Sequence, residues 1–514
     1  MLTPLQSSRA PKRRVSDIIN FPAPNGGWVS DSFAGSIAPN TARILTNMVP
    51  LQNSAQVRNG FKKFAGIPGS VQSLMVYNNG LVEELIVAAQ ATVYKVPIAT
   101  DFAATVPVSL ATGFGSSYFQ HVMMSNAADE SALVMVNGVD GIWKYDGATL
   151  EEAPASAANK TVSNVTTFKS RLWFTKTAEA TLYYGDVLSN KPATLEPLPI
   201  GPLLREGGYL VAVNSLSMDG GSGPDDYLVA VSSTGEVVVF SGIDPATDFQ
   251  LVGVFKMAAP LGPRCLIKNG SDLLYYGLDG PQALSRLFTA PQGVDTIAIA
   301  IRSEFEKAIY NQRLDKGWEL IAYPRRGWVI FNVPKTDYNK IDQFIMSQET
   351  QAWFRITGWN AICFAVLGTN LFFGANSGDI CVADYGQNDN GASINFDYMQ
   401  SWQQYNTANR KKFNMAQVTI RANSPPVIAA DMNVDYKDIV PTSTPGFSPK
   451  AIESPWDVSP WDTSPWTAGE IYYVNSFGVA NIGYVGAFRY RGRLLDTTHE
   501  FLGYRIAYEE GEFL

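Results

Sequence analysis

The chain has 514 residues, 46% of them hydrophobic and 17% charged. That is too long for one ordinary core, so a large repeat domain and at least one further domain are expected. A net charge of -8 argues against a protein that grips nucleic acid over a broad surface, and no run reaches the roughly 18 apolar residues of a membrane span. Aromatics at 12%, with 43 Gly and 30 Pro, favour many short strands and tight turns over helices.

Residues Met1 to about Asp17 are polar and carry a basic cluster, Arg9, Lys12, Arg13 and Arg14. The cluster reads either as a disordered tail or as a docking arm that orders against an acidic partner. It lacks the apolar core of a secretory signal, so the chain is expected to be made in a cytoplasm. Phe21 to Gly66 is punctuated by Pro22, Pro24, Gly26, Gly27, Pro39 and Pro50 and shows no sustained period. It is expected to lie as extended chain on the surface of the repeat domain, which makes residues 1–70 an N-terminal arm.

Tyr227 to Phe249 contains a whole β-hairpin. Tyr227–Val231 and Val237–Phe240 are β-branched and aromatic runs, and Ser232 to Gly235 supply the turn. Looser copies run over Leu85–Val96, Ala132–Gly147, Arg171–Asp186, Asp272–Phe288 and Asn370–Gly386, with a longer variant from Trp328 to Phe354. One hairpin is marginal in water and must bury an apolar face. A recurrence every roughly 30 to 65 residues matches β-propeller blades or related arrays; a β-sandwich or a stack of unrelated hairpins is the alternative. The expected fold is all-β, a β-propeller-like repeat domain of about six to seven blades over residues 71–390, with the extended N-terminal arm and a smaller C-terminal β domain over 391–514. One short helix, from about Ser303 to Gln312, is expected in an insertion between blades.

Gln387 to Ser393 turns polar and marks the boundary. Beyond it, Ile394–Trp402, Phe413–Ala422, Val427–Tyr436, Ile471–Phe477, Tyr484–Gly492 and Thr498–Gly511 alternate as strands of a sheet with one wet face do. Between them Ser-Pro-Trp recurs every five residues over Ser454 to Trp466. The prolines exclude a ladder, and Trp456, Trp461 and Trp466 are costly to leave in water. They are candidates for an assembly groove, in the same domain or on a neighbouring subunit.

Chemistry is sparse. His121 and His499 are the only histidines, and neither stands beside a nucleophile motif. Cys265, Cys363 and Cys381 lack metal-ligand spacing and read as buried thiols. Acids able to flank a glycosidic bond, such as Glu83, Glu84, Asp225 and Asp226, stand next to turns, where acids are common. Asp384 to Ser393 lacks the spacing and closing glutamate of a calcium loop. No enzyme activity, cofactor or metal is expected.

Two segments resemble a known family. Gly26-Gly27, the apolar run Leu45–Val49, and Arg58-Asn59-Gly60-Phe61 resemble the start of the tail nozzle proteins, or tail tubular proteins B, of short-tailed bacteriophages. The repeated Trp-Asp of Ser454–Trp466 and the terminal Arg505–Leu514 are similar to their end. Met48-Val49 stands before Pro50 where many of these proteins have Trp-Phe. The resemblance implies a structural virion protein, made in the host cytoplasm and resident in the tail. It implies a homohexameric ring below the portal and head-to-tail adaptor, contacts with tail fibre or tip proteins, and passage of double-stranded DNA without sequence-specific binding. A glycan-binding or glycan-cleaving propeller of the tail is the competing expectation. Asp219, Asp225 and Asp226, flanking a glycine-rich turn, are the candidates for a loop lining the channel.

Overall fold

The structure is a computed structural model that describes residues 16–30, 37–153, 159–219, 224–288, 295–335, 340–442 and 471–511. The chain divides into two units, one made of Trp28–Asp31 and Arg58–Ile394, the other of Met1–Gly27, Ser32–Val57 and Asn395–Leu514.

The larger unit is a β-propeller of seven blades. Blade 1 is the antiparallel sheet Val71–Asn78, Glu83–Ala89, Thr92–Val96 and Val108–Thr112. Blades 2, 3 and 4 repeat this four-stranded order from Gln120, Val162 and Leu210. Blade 5 has three strands, Leu266–Asn269, Asp272–Gly277 and Gly280–Ala283. Blade 6 runs from Leu320 to Ile356. Blade 7 takes three strands from Ala361 to Ala383, and its outer strand is Phe61–Gly66 from the beginning of the chain. The first strands of successive blades are neighbours all the way round, and that of blade 7 lies beside that of blade 1. The circle is therefore closed.

Burial explains the recurring hairpin. The second strand of each blade is sandwiched between the two adjacent blades, so Ser131–Val136, Arg171–Lys176 and Asn370–Ala375 are buried along nearly their whole length and must be apolar on both faces. Separate apolar clusters fill the gaps between blades. Leu85, Val87 and Phe372 fill the gap between blades 7 and 1, Met135 and Tyr145 that between 1 and 2, and Trp173 and Val238 that between 3 and 4.

Among the described residues blade 5 has no fourth strand. The connection that replaces it carries helix α1, Arg302–Gln312, where a helix is expected. Phe305 pins this helix with edge-on contacts to Phe344 and Trp353 at 5.0 and 5.7 Å and to Tyr276 at 6.0 Å. The N–H of Ile297 and the hydroxyl of Thr296 both donate to the carbonyl of Pro281 on the open edge of the blade, which covers that edge.

The second unit is a β-sandwich. One sheet joins Ala42–Thr46, Ile394–Gln400, Gly486–Leu494 and Ile428–Val434. The other joins Met48–Pro50, Ala55–Val57, His499–Glu510, Lys411–Ala422 and Ile471–Gly483, with Asp17–Pro22 also paired to His499–Glu510. Aromatic rings meet between the sheets: Phe488 stacks on Tyr504 at 4.4 Å and Tyr490 on Phe501 at 5.0 Å. His499 lies in this core with its Nε2 bonded to the Tyr490 hydroxyl, and burial lowers its pKa to about 3.

The N-terminal stretch is extended, but its role differs from the expected arm over 1–70. Instead of lying on the propeller surface, Phe61–Gly66 is a blade strand, and the strands between Asp17 and Val57 belong to the sandwich. Unpaired strand edges leave backbone groups without partners, and these short segments supply them.

Candidate functional site

The axis of the propeller is the place where all seven blades meet, and it is polar. Residues of the inner strands, among them His121, Asn164 and Asn214, surround a void of about 160 Å³. Arg264 and Glu319, at the starts of blades 5 and 6, close this void. Arg264 Nη1 donates to Glu319 Oε2 at 2.8 Å, and Nη2 donates to Ser73 Oγ at 2.7 Å and to the carbonyls of Gln72 and Phe119 at 2.9 and 3.1 Å. Glu319 Oε1 also accepts the Phe364 N–H at 3.3 Å. The guanidinium sits 3.9 Å from the Tyr118 ring centre. One ion pair therefore ties blades 5 and 6 to blades 1, 2 and 7 across the axis.

The two partners shift in the same direction for opposite reasons. Burial raises the Glu319 carboxyl above its ordinary range, against the pull of Arg264 and the Phe364 N–H. Burial also opposes the charge of Arg264, but the surrounding groups, Tyr118 and Glu319 foremost, hold its pKa above the ordinary value. Two donors on the carboxylate at hydrogen-bond distance favour the ionised pair. His121 lines the void and keeps accessible surface there, although protein atoms crowd around it. Burial first and Arg264 second lower its pKa to about 4, so it is neutral at pH 7.

Above the axis, on the face formed by the connections between blades, lie two hollows of about 560 and 400 Å³. The loop Arg313–Trp318, which follows helix α1, separates them, and Tyr118, Leu314, Asp315 and Lys316 line both. The larger hollow is bounded by Tyr209, Ser116 and Ser233 from blade connections and by Arg313 and Lys316 from the loop. Ser116 Oγ accepts the N–H of Tyr118 and Ser233 Oγ accepts the N–H of Tyr209, each at 3.2 Å.

The residues singled out in the sequence fall elsewhere. Asp226 stands on the second strand of blade 4, not on the axis; its carboxylate accepts Lys169 Nζ at 2.5 Å and Ser217 Oγ at 2.7 Å, and these bonds lower its pKa, with Lys169 first. Asp219 and Asp225 are at the same hairpin, with Met218 opposite Asp225 and Asp219 opposite Pro224. Trp456, Trp461, Trp466, Arg9, Lys12, Arg13 and Arg14 lie outside the described residues. Glu84 is engaged by Lys95 and by the Tyr145 hydroxyl at 2.6 Å. The three cysteines are buried and unpaired with one another. The polar stretch after Asp384 is more than a linker: Asp389 accepts both terminal nitrogens of Arg58 at 2.7 Å, and Asp384 accepts Arg326 and Asn59. Sequence reasoning missed Arg264, Glu319 and Tyr118; the signal was a charged residue at the very start of an apolar strand.

No protein-family model and no curated protein matches the chain. Among solved structures, it is similar to the WD40 β-propeller domain of Doa1, at 10% identity and a TM-score of 0.40 over 63% of this chain and 96% of that one. It is similar to U3-55K at 13% identity and the same TM-score, over 63% of this chain and 98% of the other. The propeller assignment stands on the closed circle of seven sheets.

Proposed function

We propose that the chain is a structural subunit of the tail nozzle of a short-tailed bacteriophage. The observation that carries this reading is where the residues of the resemblance fall. Arg58, Asn59, Gly60 and Phe61 form the junction that closes the propeller. Arg58 is buried against Asp389 and also donates to the Thr357 carbonyl at 2.9 Å. A Cβ on Gly60 would stand 1.7 Å from the Asn388 carbonyl oxygen, and Phe61 begins the closing strand. The motif is tied to the architecture at every position, which supports reading the likeness to nozzle proteins as a likeness of architecture.

In this reading the chain acts without catalysis, as a homohexamer beneath the head-to-tail adaptor, with fibre or tip proteins attached and duplex DNA passing unread. It is made in the host cytoplasm and works in the tail of the virion. The competing glycan-cleaving reading needs two carboxylates about a glycosidic bond, and Glu319 alone lines the axial void among the described residues. The test is negative-stain imaging and mass photometry of the purified chain with and without its adaptor. Six-fold rings on the adaptor and monomers without it are expected; a stable tetramer, or monomers under both conditions, overturns the reading.

A further inference from the structure

The larger hollow above the axis has the composition of a ligand site that a structural role does not call for. Its volume of about 560 Å³ lies within the range of small-molecule sites. Two aromatic rings, Tyr118 and Tyr209, stand in its wall, each beside a serine whose oxygen already accepts that tyrosine's N–H. Ser116 and Ser233 therefore keep their own O–H groups to donate. The Tyr118 phenol, neutral at physiological pH even at its ordinary value, is pushed by burial further up, to about 12. Rings flanked by hydroxyl donors suit a ligand with apolar C–H faces and many hydroxyls.

The charge on the rim narrows the class. Arg313 and Lys316 are exposed and Asp315 is half-buried, an excess of positive charge in a chain of net charge -8. A planar guanidinium matches a carboxylate with two parallel bonds. We infer that this hollow binds an acidic saccharide, with the sugar rings against Tyr118 and Tyr209 and a uronate carboxylate at Arg313 and Lys316. The site belongs to the single propeller and does not depend on ring assembly.

The experiment uses the full chain with tetragalacturonate, maltotetraose and tetraglutamate as probes, followed by saturation-transfer NMR and titration calorimetry. Saturation transfer to tetragalacturonate is expected, with binding at least about tenfold tighter than for the other two. Tyr209→Ala and the double variant Arg313→Ala/Lys316→Ala should each weaken it by about tenfold or more. Tyr209 is 44% exposed, so melting should not change. No transfer from tetragalacturonate overturns the inference. So does equal binding of tetraglutamate, which marks unspecific charge, or of maltotetraose, which marks a neutral site. Unaltered binding by the Tyr209 variant removes the hollow from the site.

Discussion

Arg264 and Glu319 are 55 positions apart in the chain, and each is the opposite charge that compensates the other's burial. Taking one away leaves a lone charge in a closed void, so Glu319→Gln or Arg264→Met should cost about 3 to 5 kcal/mol of propeller stability. Replacing both with apolar residues should cost much less, because neither charge then needs a partner. Urea unfolding of the three variants checks this, and equal losses in single and double variants would refute the pairing argument. His499 supplies a separate test in the sandwich. Its pKa falls from 6.5 in the ordinary state to about 3 in the core, so below pH 6.5 only the unfolded chain takes the proton. Stability is therefore unaffected by this residue above pH 6.5 and is lost as pH falls from there towards 3, by about 2 kcal/mol at pH 5. His499→Phe should remove this share of the acid dependence, measured as the difference in unfolding free energy between pH 7 and pH 5. The Arg264–Glu319 pair was not visible in the sequence as a unit, because pairing across a propeller axis leaves no local spacing to read.

The strands divide sharply in how well their sequence announced them. Second strands are buried between blades and carry continuous apolar runs, and turn residues join each to its third strand, which is why seven hairpins could be read. Inner strands mix polar and apolar residues because one face looks onto a wet axis, as with Asn164 and Asn214. Outer strands face solvent, and that of blade 3, Glu196–Pro199, even contains two prolines. The closing strand Phe61–Gly66 was read as surface chain because its partner, Asp379–Ala383, comes some 300 residues later. That closure makes a strong prediction at Gly60, where any side chain meets the Asn388 backbone. Gly60→Ala should loosen the strand and raise proteolysis between Arg58 and Gly66, while Arg58→Ala, by stranding Asp389, should cost about 3 to 5 kcal/mol. Limited proteolysis with mass spectrometry reads the first and urea unfolding the second. A Gly60 variant as resistant as the parent would show that blade 7 does not depend on this junction.

If the molecule is a subunit of a tube, as proposed, the path of DNA is set by what the propeller cannot admit. The axial void of about 160 Å³ equals a sphere roughly 7 Å across, narrower than the major groove alone at about 12 Å, and the Arg264–Glu319 pair stops it. The conduit in a nozzle must then run between copies of the chain. Six copies of a chain of net charge -8 carry about -48 in total, and like charge repels a duplex within a Debye length of about 8 to 10 Å. Each exposed lysine or arginine in the lumen would instead hold a phosphate and slow release. We expect a lumen lined mostly by acidic and small polar groups, with the hairpin of Asp219 and Asp225 as the candidate loop. Asp226 is unsuitable for the test, since its replacement by lysine would set two cations against each other at Lys169. Asp219→Lys/Asp225→Lys should slow DNA release, most at low ionic strength, with rings intact. The double variant Arg264→Ala/Glu319→Ala, which unstops the axis by removing both long side chains, should leave the release rate unchanged. Faster release from the unstopped variant would place DNA on the propeller axis after all, and a rate from the lysine variant that ignores salt would take the hairpin out of the lumen.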